Sequence, residues 1–334
     1  MRRQAAAGGF DFGQFGHGAS VLSSRRTASV AVVTGARVPD PATDSAAVAN
    51  ALRDYALREL DAAAAQLARR GGQLHEGVHQ ARKSLRRARA VLALGDAALG
   101  PGRPLIDREL RRLNRGLSSL RDAHALVETL DRLLARSPDP DALRLLRRAR
   151  RAAASARAEH ARQALAADPE LGGRRALLAV LRAGAAALDW PRLQAESLQQ
   201  AIAASRARMD RAGVRARERG DDEAWHRWRR HARRLSQQRR ALKTAGLTVR
   251  APDLDRRIAE RLGVAQDLAL LLGHCGRDSP FASDDRKALR RYGRDQQARA
   301  RRRIEAALAA SACSERDAVP PPQSPAGESE GRGS

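Results

Sequence analysis

HQARKSLRRARAVLAL, residues 79–94, and HRWRRHARRLSQQRRAL, residues 226–242, are two copies of one basic helical motif, and their shared spacing decides how the chain is read. Each histidine is followed by cations three, four, seven and eight positions later. These are Arg82, Lys83, Arg86 and Arg87 after His79, and Arg229, Arg230, Arg233 and Arg234 after His226. At roughly 100° per residue, all of them fall on one broad helix face. Val78, Ala81, Leu85, Ala88 and Leu92 lie opposite in the first copy, as do Trp225, Trp228, Ala232 and Leu235 in the second. One face is built for burial and the other for positive charge.

The likeness extends downstream. LNRGLSSLRDAHALVETL follows the first motif and IAERLGVAQDLALLL the second, with Asp122 and Asp267 at matching places. Five residues before each aspartate stands a leucine, Leu117 or Leu262, and the pairs Arg111–Arg112 and Arg256–Arg257 share one offset from them. A common order at near-equal spacing indicates a duplicated, domain-sized unit rather than a short solenoid repeat.

Composition points the same way. The 334 residues carry 63 Lys+Arg against 38 Asp+Glu, a formal net charge of +25, and all the cations but Lys83, Lys243 and Lys287 are arginine. A guanidinium offers paired donors that match phosphate oxygens, so a polyanionic partner is expected. The apolar content is dominated by alanine and leucine, which favour helices, and β-branched residues are few. Cys275 and Cys313 form no disulfide framework or metal-spaced cluster. No apolar run reaches membrane-spanning length, and the N-terminus lacks the apolar core of a secretion signal, so a cytoplasmic location is expected.

The fold class expected is all-α. Helices are predicted over 44–70, 74–99, 104–136, 139–166, 173–187, 191–218, 221–246, 253–274 and 283–312, separated by glycine and proline signals. This gives two bundles of four helices, repeat one over 44–168 and repeat two over 173–312, with 173–187 as an extra element at the join. Residues 1–42 and 313–334 lack helical periodicity or are rich in Pro, Gly and Ser, and are read as disordered tails around a helical domain of residues 43–312.

A charge run is ordinarily a solvated face, but recurrence at one register in both halves argues for a ligand, because like charges at i,i+4 destabilise a helix by a few tenths of a kcal/mol per pair until an anion neutralises them. Metal binding by His79 or His226 is not expected, since the positions a turn away hold cations. Their helix face supplies no carboxylate to orient a catalytic imidazole, and neighbouring cations should depress their pKa. Asp122 and Asp267 are read as orienting arginines of the basic helices through charge-assisted hydrogen bonds. No phosphate-binding glycine loop, nucleophile elbow or CxxC pair occurs, so no catalytic residue and no cofactor is expected. Nucleic acid is the competing partner, but aromatics make up only 3% of the chain, and Trp225 and Trp228 fall on the apolar face.

The pattern H-x-x-[RK]-[RK]-x-x-R-R at His79 and His226, each with its leucine-spaced aspartate, resembles the CHAD family, the conserved-histidine α-helical domain. The resemblance covers roughly residues 44–312 and implies an internally duplicated pair of four-helix bundles with a basic cavity between them. It also implies binding of inorganic polyphosphate and, in some members, association with polyphosphate granules. His79, Arg82, Lys83, Arg86 and Arg87 would line one wall and His226, Arg229, Arg230, Arg233 and Arg234 the other, with Arg112 and Arg257 contributing from the following helices. Trp228 and His231 depart from the small or aliphatic residues usual inside the motif. The chain resembles stand-alone members, without a triphosphate tunnel (CYTH) domain. A non-enzymatic polyphosphate binder is therefore expected. Nonspecific nucleic-acid binding is the alternative, and a polyphosphate-processing enzyme the third reading.

Overall fold

A computed structural model describes residues 41–137, 139–247 and 253–317, and among them every regular element is helical. The expected N-terminal tail falls outside the described residues up to residue 40, and the expected C-terminal tail falls outside them from residue 318. The helices are α1 (Pro41–Leu67), α2 (Leu74–Gly95), α3 (Gly102–Gly116), α4 (Ser118–Leu134), α5 (Pro140–Ala167), α6 (Gly172–Ala186), α7 (Ala195–Arg219), α8 (Asp222–Thr244), α9 (Asp253–Gly273) and α10 (Ser283–Asp317).

Local chemistry sets several boundaries. Asp139 caps α5 by accepting from the amides of Asp141 and Ala142, with Pro140 in the first turn. Gly220, at φ +66°, closes α7, and the Asp221 carboxylate then accepts from the Ala224 amide to open α8. The single helix expected over 104–136 is two helices, broken at the buried Leu117. The cause is tertiary: Arg82 of α2 donates to the Asn114 carbonyl and, at 3.0 Å, to Ser118 Oγ. The guanidinium takes up a carbonyl orphaned at the end of α3 and so stabilises the break.

The motif's apolar faces go where their periodicity directs them. Val78, Ala81, Leu85, Ala88 and Leu92 are each 1% exposed or less, and Trp225, Trp228, Ala232 and Leu235 are buried as well. α1 packs on α2, α7 on α8, and α2 against α8, around one core. α4 packs on α5, α9 on α10, and α4 against α9, around a second. Each four-helix group thus takes two helices from each repeat, where the sequence suggested one bundle per repeat. α6, the extra element at the join, lies against α1 and α3. The grouping brings both basic helices side by side, with Gln238 of α8 donating to the Ala90 carbonyl of α2 at 3.3 Å.

Candidate anion site

The charged faces of α2 and α8 open on a single cavity of about 710 Å³, closed from the other side by α4 and α9. It brings together His79, Arg82, Lys83, Arg86 and Arg87 with His226, Arg229, Arg230 and Arg233. Arg121 and Arg240 complete the cationic lining, giving eight arginines and one lysine against two carboxylates, Asp122 and Asp267. Some of this charge is matched from outside. Arg87 donates to Glu59 of α1 at 3.1 Å, and Arg121 to Glu128 of α4 at 2.6 Å.

The centre is matched only in part, by Asp122 and Asp267. Arg86 is held among Arg82, Arg229, Arg121 and Arg87, and burial together with those neighbours brings its guanidinium down to about 9. Burial, then Arg229 and Arg86, likewise holds Arg233 well below the usual arginine range. The Nε atoms of Arg82, Arg86 and Arg229 are buried without a hydrogen-bond partner. A buried donor left unsatisfied costs on the order of 1–3 kcal/mol, more where the group is charged. The cluster therefore carries an energetic cost in the free protein.

The aspartates act as charges at equivalent places. Asp122 favours the charged form of Arg82, and Asp267 that of Arg229, the arginines three residues after each histidine. The expected hydrogen bond to the basic helix is not what Asp267 makes. Its Oδ2 accepts instead from Arg132 of α4 at 2.8 Å, tying the repeats together. His79 is held at about 4, first by burial and then by Arg121 of the facing helix, so the depression does not come chiefly from its own helix. Glu76 and Glu128 oppose it, Glu128 being an acid from α4 that no reading of α2 alone could place there. His226 Nδ1 donates to Gln266 Oε1 at 2.6 Å.

Three expected residues lie elsewhere. Arg234 sits about 80° round α8 from His226 and faces Arg89, Asp107, Arg208 and Arg111 on the α3 and α7 side. Arg87 has the same offset in α2, but its pairing with Glu59 holds it at the cavity. Arg112 is exposed on α3 beside Glu109, and Arg257 is exposed on α9. Of the residues the sequence reading missed, Arg240 continues the row 226, 230, 233, 237 by one further turn and was open to that reading. Arg121, adjacent to Asp122, gave no periodic signal.

Among the described residues no group of three or more His, Cys, Asp or Glu is placed to hold a metal, and no helix is long and apolar enough to cross a membrane.

Comparison with known proteins agrees with this geometry. No curated protein matches the chain. Among solved structures, the CHAD domain from the plant Ricinus communis superposes with a TM-score of 0.57 at 24% identity, over 79% of this chain and 92% of that one. PptA from Streptomyces chartreusis does so with a TM-score of 0.55 at 20% identity, over 79% and 98%. The family profile described as the CHAD domain matches residues 51–252, more than half the chain and both basic motifs. With its duplicated histidine-led helices side by side on one shared cavity, the chain belongs to the CHAD family.

Proposed function

We propose that the cavity binds inorganic polyphosphate, with the arginines of α2 and α8 as principal contacts and His79 and His226 as secondary donors. The observation that carries this reading is the meeting of Arg82, Arg86, Arg229 and Arg233 in one cavity whose eight arginines and one lysine face only two carboxylates. Paired guanidinium donors suit the oxygens of successive phosphates. Beyond its two histidines the lining contains no aromatic ring on which a base could stack, which favours a polyanion without bases over single-stranded nucleic acid. The CHAD resemblance supports the same ligand and extends to association with polyphosphate granules. We read the protein as a binder rather than an enzyme: Asp267 is paired with Arg132, and Asp122 lies where it favours the charged form of Arg82.

The test is direct binding of long-chain polyphosphate by the purified protein, with duplex DNA and RNA as competitors. The variant Arg82→Gln/Arg86→Gln/Arg229→Gln/Arg233→Gln is measured beside it. The expected result is polyphosphate-preferring binding, steeply weakened by salt and lost in the folded variant. Equal affinity for all three polyanions would favour nonspecific nucleic-acid binding, and shortening of the chains on adding a divalent metal would favour the enzyme.

A further inference from the structure

On the other side of α8 lies a second basic concavity, about 210 Å³, between α7 and α8. Arg208, Arg211, Arg215 and Arg219 enter it from α7, and Arg227 and His231 from α8. The four α7 positions fall within roughly 80° of one another round the helix, so they form a single stripe. Elsewhere on α7 the arginine charge is matched locally, as where Arg206 pairs with Asp210 at 2.9 Å. In the groove, Arg211 and Arg215 make no ion pair among the described residues. Arg219 is matched by Asp221 at 2.7 Å, and Glu223 is the one carboxylate in the lining.

Glu223 also marks the connection to the cavity. Its Oε1 lies 3.6 Å from Arg227, which lines the groove, and 3.8 Å from Arg230, which lines the cavity. Arg227 and Arg230 thus link the two basic surfaces through Glu223, at an end of α8 that also carries Asp221 and Asp222. Arg234, which the sequence assigned to the cavity, stands on the groove side near Arg208.

Resting on the reading of the cavity as a polyphosphate site, we propose that the α7/α8 groove is a second, outward-facing phosphate subsite. It holds the part of a long phosphate chain that runs out of the cavity past Glu223. The cavity alone serves short chains, and cavity plus groove serve long ones. The stripe is regular enough to track a chain backbone, and at its middle Arg211 and Arg215 make no ion pair among the described residues.

The experiment compares tripolyphosphate with long-chain polyphosphate, using the full chain and three variants. Arg211→Gln/Arg215→Gln removes two charges from the middle of the groove and disturbs no ion pair. Arg86→Gln/Arg233→Gln removes two central charges of the cavity. Arg291→Gln/Arg294→Gln removes the same charge from exposed positions of α10 that line neither surface. The groove variant is expected to bind long-chain polyphosphate about tenfold more weakly than the α10 variant, with tripolyphosphate affinity unchanged. The cavity variant should bind both ligands about 100-fold more weakly. If the groove and α10 variants bind long chains equally, the groove is overturned and the cavity stands. If the unaltered protein binds neither probe, the cavity reading itself fails.

Discussion

The two histidines that open the basic helices keep different company. At the position just before each aspartate, the first half has Arg121 and the second has Gln266. Gln266 accepts a hydrogen bond from His226, whereas Arg121 faces His79 with a charge, and the His79 Nδ1 is buried without a partner. The third positions differ as well. Arg82 is anchored to Asn114 and Ser118 at the break between α3 and α4, while Arg229 passes the continuous α9, its Nη2 about 4.0 Å from where a Cβ on Gly263 would stand. Duplication has supplied two similar walls, of which the second is built into α9 and the first depends on a helix break. The added cations differ in origin too: Arg240 extends α8 itself, and Arg121 reaches across from α4.

If both walls hold the ligand, neutralising either should hurt comparably. Arg82→Gln/Arg86→Gln and Arg229→Gln/Arg233→Gln should each weaken polyphosphate binding about 100-fold, the scale of two lost charge-assisted contacts. Thermal unfolding separates them. The second pair should leave the free protein as stable or more so, since buried like charge is relieved. The first should lower its Tm, because Arg82 also secures the α3–α4 break. Equal Tm values for the two variants would show that the break does not depend on Arg82.

A smaller effect is expected from Arg121→Gln, which makes the first half resemble the second. It removes one cavity cation, so affinity should fall about tenfold. His79 should also titrate above its present value of about 4, while remaining depressed because burial is the larger cause. Histidine NMR titration reads this directly, and a His79 unmoved by the substitution would remove Arg121 from its electrostatics.

The pH dependence of stability follows from the same asymmetry. His75 and His79 are each held at about 4, chiefly by burial, and His75 stacks on His124 with ring centroids 5.4 Å apart. A histidine whose folded pKa lies below its unfolded value near 6.5 binds protons more readily when unfolded. Its contribution is thus present above pH 6.5 and lost as pH falls toward 4. The Tm of the free protein should decline across that window, and the decline should be shallower in His79→Gln. A bound polyanion raises the His79 pKa, so affinity should strengthen as pH falls through the raised value. Affinity that stays flat on acidification would show that His79 does not sense the ligand.

Much of this was legible in the sequence because the duplication prints the same periodicity twice. The apolar residues of α2 and α8 fixed which faces are buried, and nine of the twelve expected site residues line one cavity. What escaped is tertiary. The run Leu113–Asn114–Arg115–Gly116–Leu117 carries no proline and only Gly116 as a stop signal, and the break is completed where Arg82 arrives from another helix. Arg87 and Arg234 share an offset, and only the placement of Glu59 beside one and of α3 and α7 beside the other separates them. Grouping helices across the repeats needs long-range contacts that periodicity within a segment does not contain.

The smallest predicted effect concerns how each basic helix meets its partner. In the first half the glycine is on the basic helix: a Cβ at Gly77 of α2 would press into the Gln66 carbonyl of α1. In the second half it is on the partner, where a Cβ at Gly213 of α7 would stand 3.0 Å from the Trp228 indole. Gly213 therefore makes room for the Trp228 ring, and the corresponding place in the first copy is Ala81. Both Gly→Ala changes gain about 1 kcal/mol of helix propensity. At Gly77 the obstacle is backbone, which moves only if the helices separate, so Gly77→Ala should be destabilising by about 1–3 kcal/mol. At Gly213 the obstacle is a ring edge that a few tenths of an ångström relieve, so crowding should roughly cancel the gain. Neither position lines the cavity, so polyphosphate affinity should hold in both while denaturant midpoints diverge. Coincident midpoints would mean that the two helix pairs close by the same means after all.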